Sequence, residues 1–207
     1  MKTTTPTRDL RQAAEADFPC RFGPFRIYGF EAGEPGQVES VVALKLGDLA
    51  APGPAPLVRI HSQCLTGDVF GSLRCDCRAQ LEMALERIAA EGRGLLVYEA
   101  QEGRGIGLIN KLMAYQLQDA GADTVEANNQ LGFEADLRTY QVAVDVLRYF
   151  GLGRVRLLSN NPAKIQALEA AGIQVEERVP CEIPPTSSTQ AYLETKKKKL
   201  GHLLNGL

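Results

Sequence analysis

Three of the chain's five cysteines fall within fourteen residues: Cys64, then ten residues, then Cys75-Asp76-Cys77. Thiolates are soft ligands that suit a tetrahedral zinc, and two cysteines one residue apart can approach one ion from adjacent positions on a bend. A structural zinc fills all four positions with protein ligands, and here a fourth is scarce. The only histidines are His61 and His202, while Cys20 and Cys181 are remote in sequence. Three ligands with one open position are the arrangement of a catalytic zinc, whose water ionises near pH ~7. The competing reading is a structural site completed by His61 or Asp76.

A second stretch has the composition of an anion cradle. Glu102-Gly103-Arg104-Gly105-Ile106-Gly107 lies between an expected strand and an expected helix. Glycines there let backbone approach a phosphate, and a helix N-terminus offers free N–H groups. It is not the dinucleotide fingerprint, because Leu108 stands where a glycine is needed. An ordinary glycine-rich turn is the alternative. Arg104 suits a phosphate by its fork of donors, and Lys164 by its point charge. Lys164 falls in the first turn of an expected helix, so a phosphate there would also meet helix N–H groups.

These groups need a scaffold. With 207 residues, 44% of them hydrophobic, the chain can bury a substantial core as one domain, or one domain with an appendage. A net charge of -2 excludes the basic excess of a general nucleic-acid binder but leaves room for a local basic pocket. No apolar run approaches the roughly 20 residues of a membrane span. The N-terminus lacks the apolar stretch of a signal peptide, so a cytoplasmic protein with reduced thiols is expected. Residues 1–20 read as a flexible or weakly helical leader.

Strand patterns follow from 21 to about 46, with a turn at Gly33-Glu34-Pro35-Gly36. A proline-rich loop over 50–56 precedes a short strand over 57–61. Helices are expected over 79–91, 106–120 and 137–150, and another after Asn161-Pro162, a cap followed by a proline at the first helical position. Strands are expected over 94–98, 155–158 and 173–179. The alternation implies an α+β or α/β fold: a mixed, partly parallel sheet flanked by helices, with a β-rich N-terminal portion. Residues 21–183 form the expected catalytic domain. Residues 184–207 form a polar tail, partly helical or flexible, whose run Lys196-Lys197-Lys198-Lys199 reads as solvated.

Taken together, the motifs closely resemble the GTP cyclohydrolase II family. They are Arg59-Ile60-His61-Ser62-Gln63-Cys64-Leu65-Thr66-Gly67-Asp68, Ser72-Leu73-Arg74-Cys75-Asp76-Cys77, the run from Gln101 to Leu108, Asp123 to Asn128, Gln130 to Phe133, and Leu157 to Pro162. The likeness spans about 21–180, with a weaker echo in Gly201-His202-Leu203-Leu204. It implies conversion of GTP to a diamino-ribosylamino-pyrimidinone phosphate with release of formate and pyrophosphate, the first committed step of riboflavin synthesis. It also implies zinc, magnesium with the triphosphate, and a homodimer.

On this resemblance Cys64, Cys75 and Cys77 are the zinc ligands. Nucleotide contacts fall on Arg59, Ile60, His61, Ser62, Gln63, Gln80, Glu102, Gly103, Arg104, Thr124, Ser159 and Lys164. Asp136 and Arg138 match an acid–base and nucleophile pair, although a guanidinium is a poor nucleophile and clamping phosphate charge is the simpler role for Arg138. Asp136 alone would read as a helix cap, and Tyr115 as a core-edge tyrosine; the resemblance places Tyr115 near the ring as a proton relay. Glu102 could accept from the guanine amino and ring N–H groups. Gln63 stands where many members carry glutamate, and Ser159 where threonine is expected. A relative halting at the formylated intermediate, and a structural-zinc nucleotide-binding module without turnover, are the alternatives.

Overall fold

The computed structural model describes residues 10–34 and 37–206. The described strands form one sheet of seven in the order β1-β2-β3-β5-β4-β6-β7. Strands β1 (Leu10–Cys20), β2 (Gly23–Glu34) and β3 (Gln37–Leu46) run antiparallel, and β3 pairs antiparallel with β5 (Gly94–Glu99). From there β5, β4 (Leu57–Ser62), β6 (Arg154–Leu158) and β7 (Gln174–Val179) are parallel. This is the mixed, partly parallel sheet with a β-rich start that the pattern implies.

Strand alternation sends side chains to two cores. Leu57, Leu96 and Leu158 face helix α2 (Cys77–Glu91), which contributes Ala84, Leu85 and Ile88. Val58, Ile60, Leu95, Val97 and Leu157 face α5 (Gln141–Tyr149) and α6 (Pro162–Ala170). Helix α5 buries Val142, Ala143, Val144, Val146 and Leu147, so it is held by packing rather than by caps. Between β4 and β5 the chain leaves the sheet towards opposite faces, by α2 after β4 and by α5 after β5. Such a switch point opens a crevice beyond the carboxyl ends of the strands, where ligands bind in open α/β sheets. Short elements rim it: α1 (Leu65–Asp68), a 3-10 turn (Glu102–Gly105), α3 (Leu108–Asp119) and α4 (Thr124–Gln130).

Helix α2 stops at Gly92 in the left-handed conformation, and α6 starts on an Asn161 cap with Pro162 behind it, as expected. Three expectations are corrected. Residues 10–20 of the supposed leader are β1, fastened along β2 by its ladder and by Arg26 paired with Glu15 and Asp17; residues 1–9 lie outside the described residues. The third helix begins at Gln141 rather than 137, because Gln101 ties residue 139 down through its backbone amide and carbonyl. The tail is partly helical as expected, but its lysine run is not wholly solvated, because α7 (Gln190–Leu200) buries Lys196 together with Leu193.

Candidate functional site

Cys64 leaves β4 two residues past Ser62, while Cys75 and Cys77 lie on the bend that starts α2. The three Sγ atoms lie within 4.8 Å of one another. Cys64 Sγ and Cys75 Sγ are 3.7 Å apart, which matches the edge, roughly 3.8 Å, of a tetrahedron with zinc–sulfur bonds near 2.3 Å. Gly67, in α1, makes room: a Cβ there would stand 2.8 Å from Cys75 Sγ and 3.2 Å from Cys64 Sγ.

No His or carboxylate joins the trio among the described residues. His61 points Nε2 at both Asp68 oxygens, 3.2 Å away, and Asp76 is bonded to Gln80 and Lys196. The donor set therefore fits a zinc with a fourth position open, and neither His61 nor Asp76 completes it. The trio shares negative charge. Hydrogen bonds from Cys75 and Cys77 hold the Cys64 thiol far below its ordinary range, and the bond to Cys64 pushes Cys75 up to about 11.

A cation backs the cluster. Lys111, on α3, lies 3.2 Å from Cys64 Sγ and 2.7 Å from Glu102 Oε1. Glu102 also accepts the backbone N–H groups of Leu65 (2.6 Å) and Gly103 (3.0 Å). Its carboxylate is thus largely committed to internal bonds, which makes it a brace for the Cys64 turn more than a free reader of a purine edge. One α3 turn further on, the Tyr115 hydroxyl meets Thr66 Oγ1 at 3.1 Å, and Thr66 Oγ1 is 3.7 Å from Cys64 Sγ. Burial pushes the Tyr115 phenol above its ordinary value, so it stays protonated at neutral pH.

Across the crevice the lining is cationic. Gly103 and Arg104 both adopt left-handed backbone, at φ 61° each, and Arg104 is the one non-glycine residue with positive φ among the described residues. That conformation costs an L-residue about 1–2 kcal/mol, a cost natural sequences tolerate where a side chain must be aimed. The Arg104 carbonyl takes the Leu137 N–H at 3.0 Å, which docks the loop carrying Asp136 and Arg138. Arg138 forks onto Asp136 through Nε (2.8 Å) and Nη2 (2.5 Å) and reaches Ser62 Oγ through Nη1 at 3.4 Å. Burial would lower Arg138, but the Asp136 carboxylate outweighs it and holds the guanidinium above its ordinary value. Such a group stays charged and clamps anions.

Lys164, 4% exposed, donates to the Ile60 carbonyl at 2.8 Å. Burial, then the Arg59 and Arg138 charges, holds it well below the ordinary lysine range. Arg59 donates to the Leu158 carbonyl and to Gln80 Oε1, and its Nε is buried without a partner. His61 is oriented by Asp68, which also accepts the Tyr98 hydroxyl at 2.8 Å, and its Nδ1 is likewise buried without a partner. Arg59 Nε and Arg104 Nη1 are thus buried donors without partners, which suits an anion, whereas the free Nδ1 of the neutral His61 is an acceptor.

The three cysteines, Tyr115, Arg138 and most of the expected contacts line one cleft: Arg59, His61, Ser62, Gln63, Gln80, Glu102, Gly103, Arg104, Thr124, Ser159 and Lys164. Two expectations are corrected. The Ile60 side chain is in the core and only its carbonyl faces Lys164, because alternation on β4 turns it away from Arg59 and His61. Asp136 stands behind Arg138 rather than in the lining and is not the cap of α5, whose N-cap is Tyr140.

Sequence reasoning missed Lys111, Gln118, Asn128 and the tail residues Tyr192, Lys196 and His202, all of which line the cleft. For Lys111 a signal existed: it lies one helical turn before Tyr115, so α3 presents both on one face. Seven Lys or Arg side chains and one carboxylate, Glu102, line the cleft of a chain whose net charge is -2.

A thiol trio able to hold a metal ion, facing a cationic wall at the switch point of an α/β sheet, fits a hydrolase for a polyanionic substrate. Residues 11–180 match the GTP cyclohydrolase II family. The GTP cyclohydrolase-2 of Hahella chejuensis is 53% identical over 92% of this chain and 91% of its own length. That of Escherichia coli is 52% identical over 95% of this chain and 98% of its own. The riboflavin biosynthesis protein RibBA of Chlorobium phaeovibrioides is 50% identical, and the chain spans 47% of it. The chain belongs to the GTP cyclohydrolase II family, hydrolases of riboflavin biosynthesis.

Proposed function

We propose that the chain opens the imidazole ring of GTP, releasing formate and pyrophosphate and leaving the 2,5-diamino-6-ribosylamino-pyrimidinone 5′-phosphate. The observation that carries this reading is the cleft, in which the cysteine trio and a wall of buried cations face one space. One water adds at the carbon between the two imidazole nitrogens and opens the ring, and a second releases formate. A third replaces pyrophosphate at the α-phosphorus. A zinc ion held by Cys64, Cys75 and Cys77 would supply a Lewis-acidic position at which water is nucleophilic near neutral pH.

The rest falls to this chain's own residues. Tyr115, protonated and hydrogen-bonded to Thr66, is placed to give a proton to the ring nitrogen as the ring opens. Arg138, braced by Asp136, clamps the charge that develops on the leaving pyrophosphate. Arg59 and Arg104 meet the remaining phosphate oxygens, and magnesium accompanies the triphosphate. Lys164, whose proton is held weakly by burial and the Arg59 and Arg138 charges, is charged by the phosphate that pairs with it. Gln80, His61, Ser62, Gln63, Thr124 and Ser159 line the space for the nucleoside.

The protein is expected to work as a homodimer in the cytoplasm. Exposed apolar side chains on α3 (Ile109, Leu112, Met113) and on the 69–73 loop (Val69, Phe70, Leu73) support self-association. No helix among the described residues is long and apolar enough to cross a membrane. The test is to incubate the zinc-loaded protein with GTP and magnesium and follow pyrophosphate, formate and the diaminopyrimidinone. All three are expected; pyrophosphate alone identifies a relative that halts at the formylated intermediate, and neither leaving product identifies a binding module.

A further inference from the structure

The lysine run at 196–199 reads as solvated, yet its first member is buried. Lys196 is 9% exposed and lies on α7, beyond residues 11–180 that match the family. Its Nζ is 3.2 Å from Asp76 Oδ1, and Asp76, 5% exposed, stands between the two cysteines Cys75 and Cys77. The bond begins a chain. Gln80 Nε2 donates to Asp76 Oδ2 at 2.5 Å, Arg59 Nη2 donates to Gln80 Oε1 at 2.7 Å, and Arg59 Nη1 donates to the Leu158 carbonyl at 3.0 Å. The Gln80 amide is thereby fixed, donor towards Asp76 and acceptor towards Arg59.

The helix that carries Lys196 is fastened at other points. Lys199 pairs with Asp123 and Glu126 at the start of α4, the Leu203 N–H donates to the Asn160 carbonyl at 2.8 Å, and the Asn205 N–H donates to Glu182 at 2.9 Å. Tyr192 lies under Lys196, its ring centroid 4.3 Å from Nζ, and both line the cleft with His202. A C-terminal segment tied down at Lys199, Leu203 and Asn205, with one buried cation on the cysteine turn, is part of the site.

We propose that Lys196 is a positioning residue of this site: it neutralises Asp76 and so holds the Cys75–Cys77 turn and the Gln80 amide in register for zinc and for the nucleotide. This rests on the proposed zinc-dependent reading. Removing one partner of a buried ion pair strands the other, whereas removing both is far milder.

Zinc affinity, measured by chelator competition on the full chain, tests it, with melting temperature as a control for folding. Lys196→Met should weaken zinc by about ten- to hundredfold, the range for residues that orient metal ligands. It should also raise KM for GTP more than it lowers kcat, through Gln80 and Arg59. Lys196→Arg, which keeps the charge, should stay within about threefold. The double variant Asp76→Asn/Lys196→Met should bind zinc more tightly than Lys196→Met alone. Zinc affinity within about twofold of wild type in Lys196→Met overturns the inference, as does a double variant weaker than the single or an Arg variant that falls as far as the Met. If Lys196→Met does not fold, the Arg variant and the single Asp76→Asn, which strands Lys196 and should weaken zinc as Lys196→Met would, decide in the same way. A wild-type chain that binds no zinc overturns the proposed function as well, which separates the two failures.

Discussion

Gly67 carries no functional group, yet the thiol trio depends on it. Its missing Cβ is the space that Cys75 Sγ, Cys64 Sγ and Cys77 Cβ occupy. Gly67→Ala should therefore splay the cluster and reduce bound zinc to a small fraction of wild type, read by metal analysis after gel filtration. Its backbone needs no positive φ, so the expected effect is on metal and not on folding. Wild-type zinc content in the variant would refute the assignment of the trio. Arg138 makes the opposite point, since its fork is what matters. Arg138→Lys keeps a charge but cannot bind Asp136 and a phosphate in the same plane. It should lower kcat for pyrophosphate release by about 10²- to 10³-fold, as loss of an oriented charge stabiliser does, with KM changing far less. A fall confined to KM would assign Arg138 to ground-state binding only.

At the scale of elements, what could be read in the chain depended on whether an element carries its own local signal. Helices α2 and α6 announce themselves with Gly92 and Asn161-Pro162, and the structure uses those residues as stop and cap. Strand β1 does not: Leu10 to Cys20 is mostly exposed, so no alternation marks it, and its register comes from β2 through the ladder and the Arg26 pairs. Helix α7 misleads, because Lys196 is buried only by virtue of a carboxylate 120 positions away. The clustering of Cys64, Cys75 and Cys77 was legible from spacing, which left open whether the trio is structural or catalytic. The cation wall was only partly legible, since Lys111 and Lys196 acquire their meaning from tertiary neighbours.

Helix α4 lies between these cases. Asp123 and Glu126 form a capping box, with Asp123 Oδ1 taking the Val125 and Glu126 N–H groups and Glu126 Oε2 taking the Asp123 N–H. The D-x-x-E spacing was visible, and the helix behind it could have been inferred. Asp123→Ala should cost about 1 kcal/mol by the cap alone. Because Asp123 also holds Lys199, the same change should increase protease nicking near α7, checked by limited proteolysis beside urea denaturation. A stability loss without added nicking would mean that α7 is held by its other ties.

Viewed as a whole molecule, the chain gathers its buried ionisable groups around one cleft, and their opposing shifts set how its stability responds to pH. Burial, then the Lys196 and Arg138 charges, pushes His202 down to about 3, and burial likewise lowers His61. Burial pushes the Glu99 carboxyl up to about 7, with both oxygens lacking partners in the core. For a depressed histidine the unfolded chain takes up the proton first. Its stabilisation is therefore complete above pH ~6.5 and is lost as pH falls from there towards the folded value.

Glu99 has the opposite sign. The unfolded carboxyl ionises near pH ~4.5 while the folded one keeps its proton, so stability falls as pH rises towards 7. Lys164 and Cys64, also held below their ordinary ranges, act in the same direction as the two histidines and oppose the one carboxyl, so wild-type stability should rise between pH 5 and 6.5. His202→Asn should remove about 2 kcal/mol of that rise, at about 1.4 kcal/mol per pH unit, and leave a shallower profile. Glu99→Gln should steepen the rise by a similar amount. Urea denaturation of wild type and both variants at pH 5 and 6.5 measures the three slopes, and a His202→Asn slope equal to wild type would show that this imidazole is not held neutral by its burial.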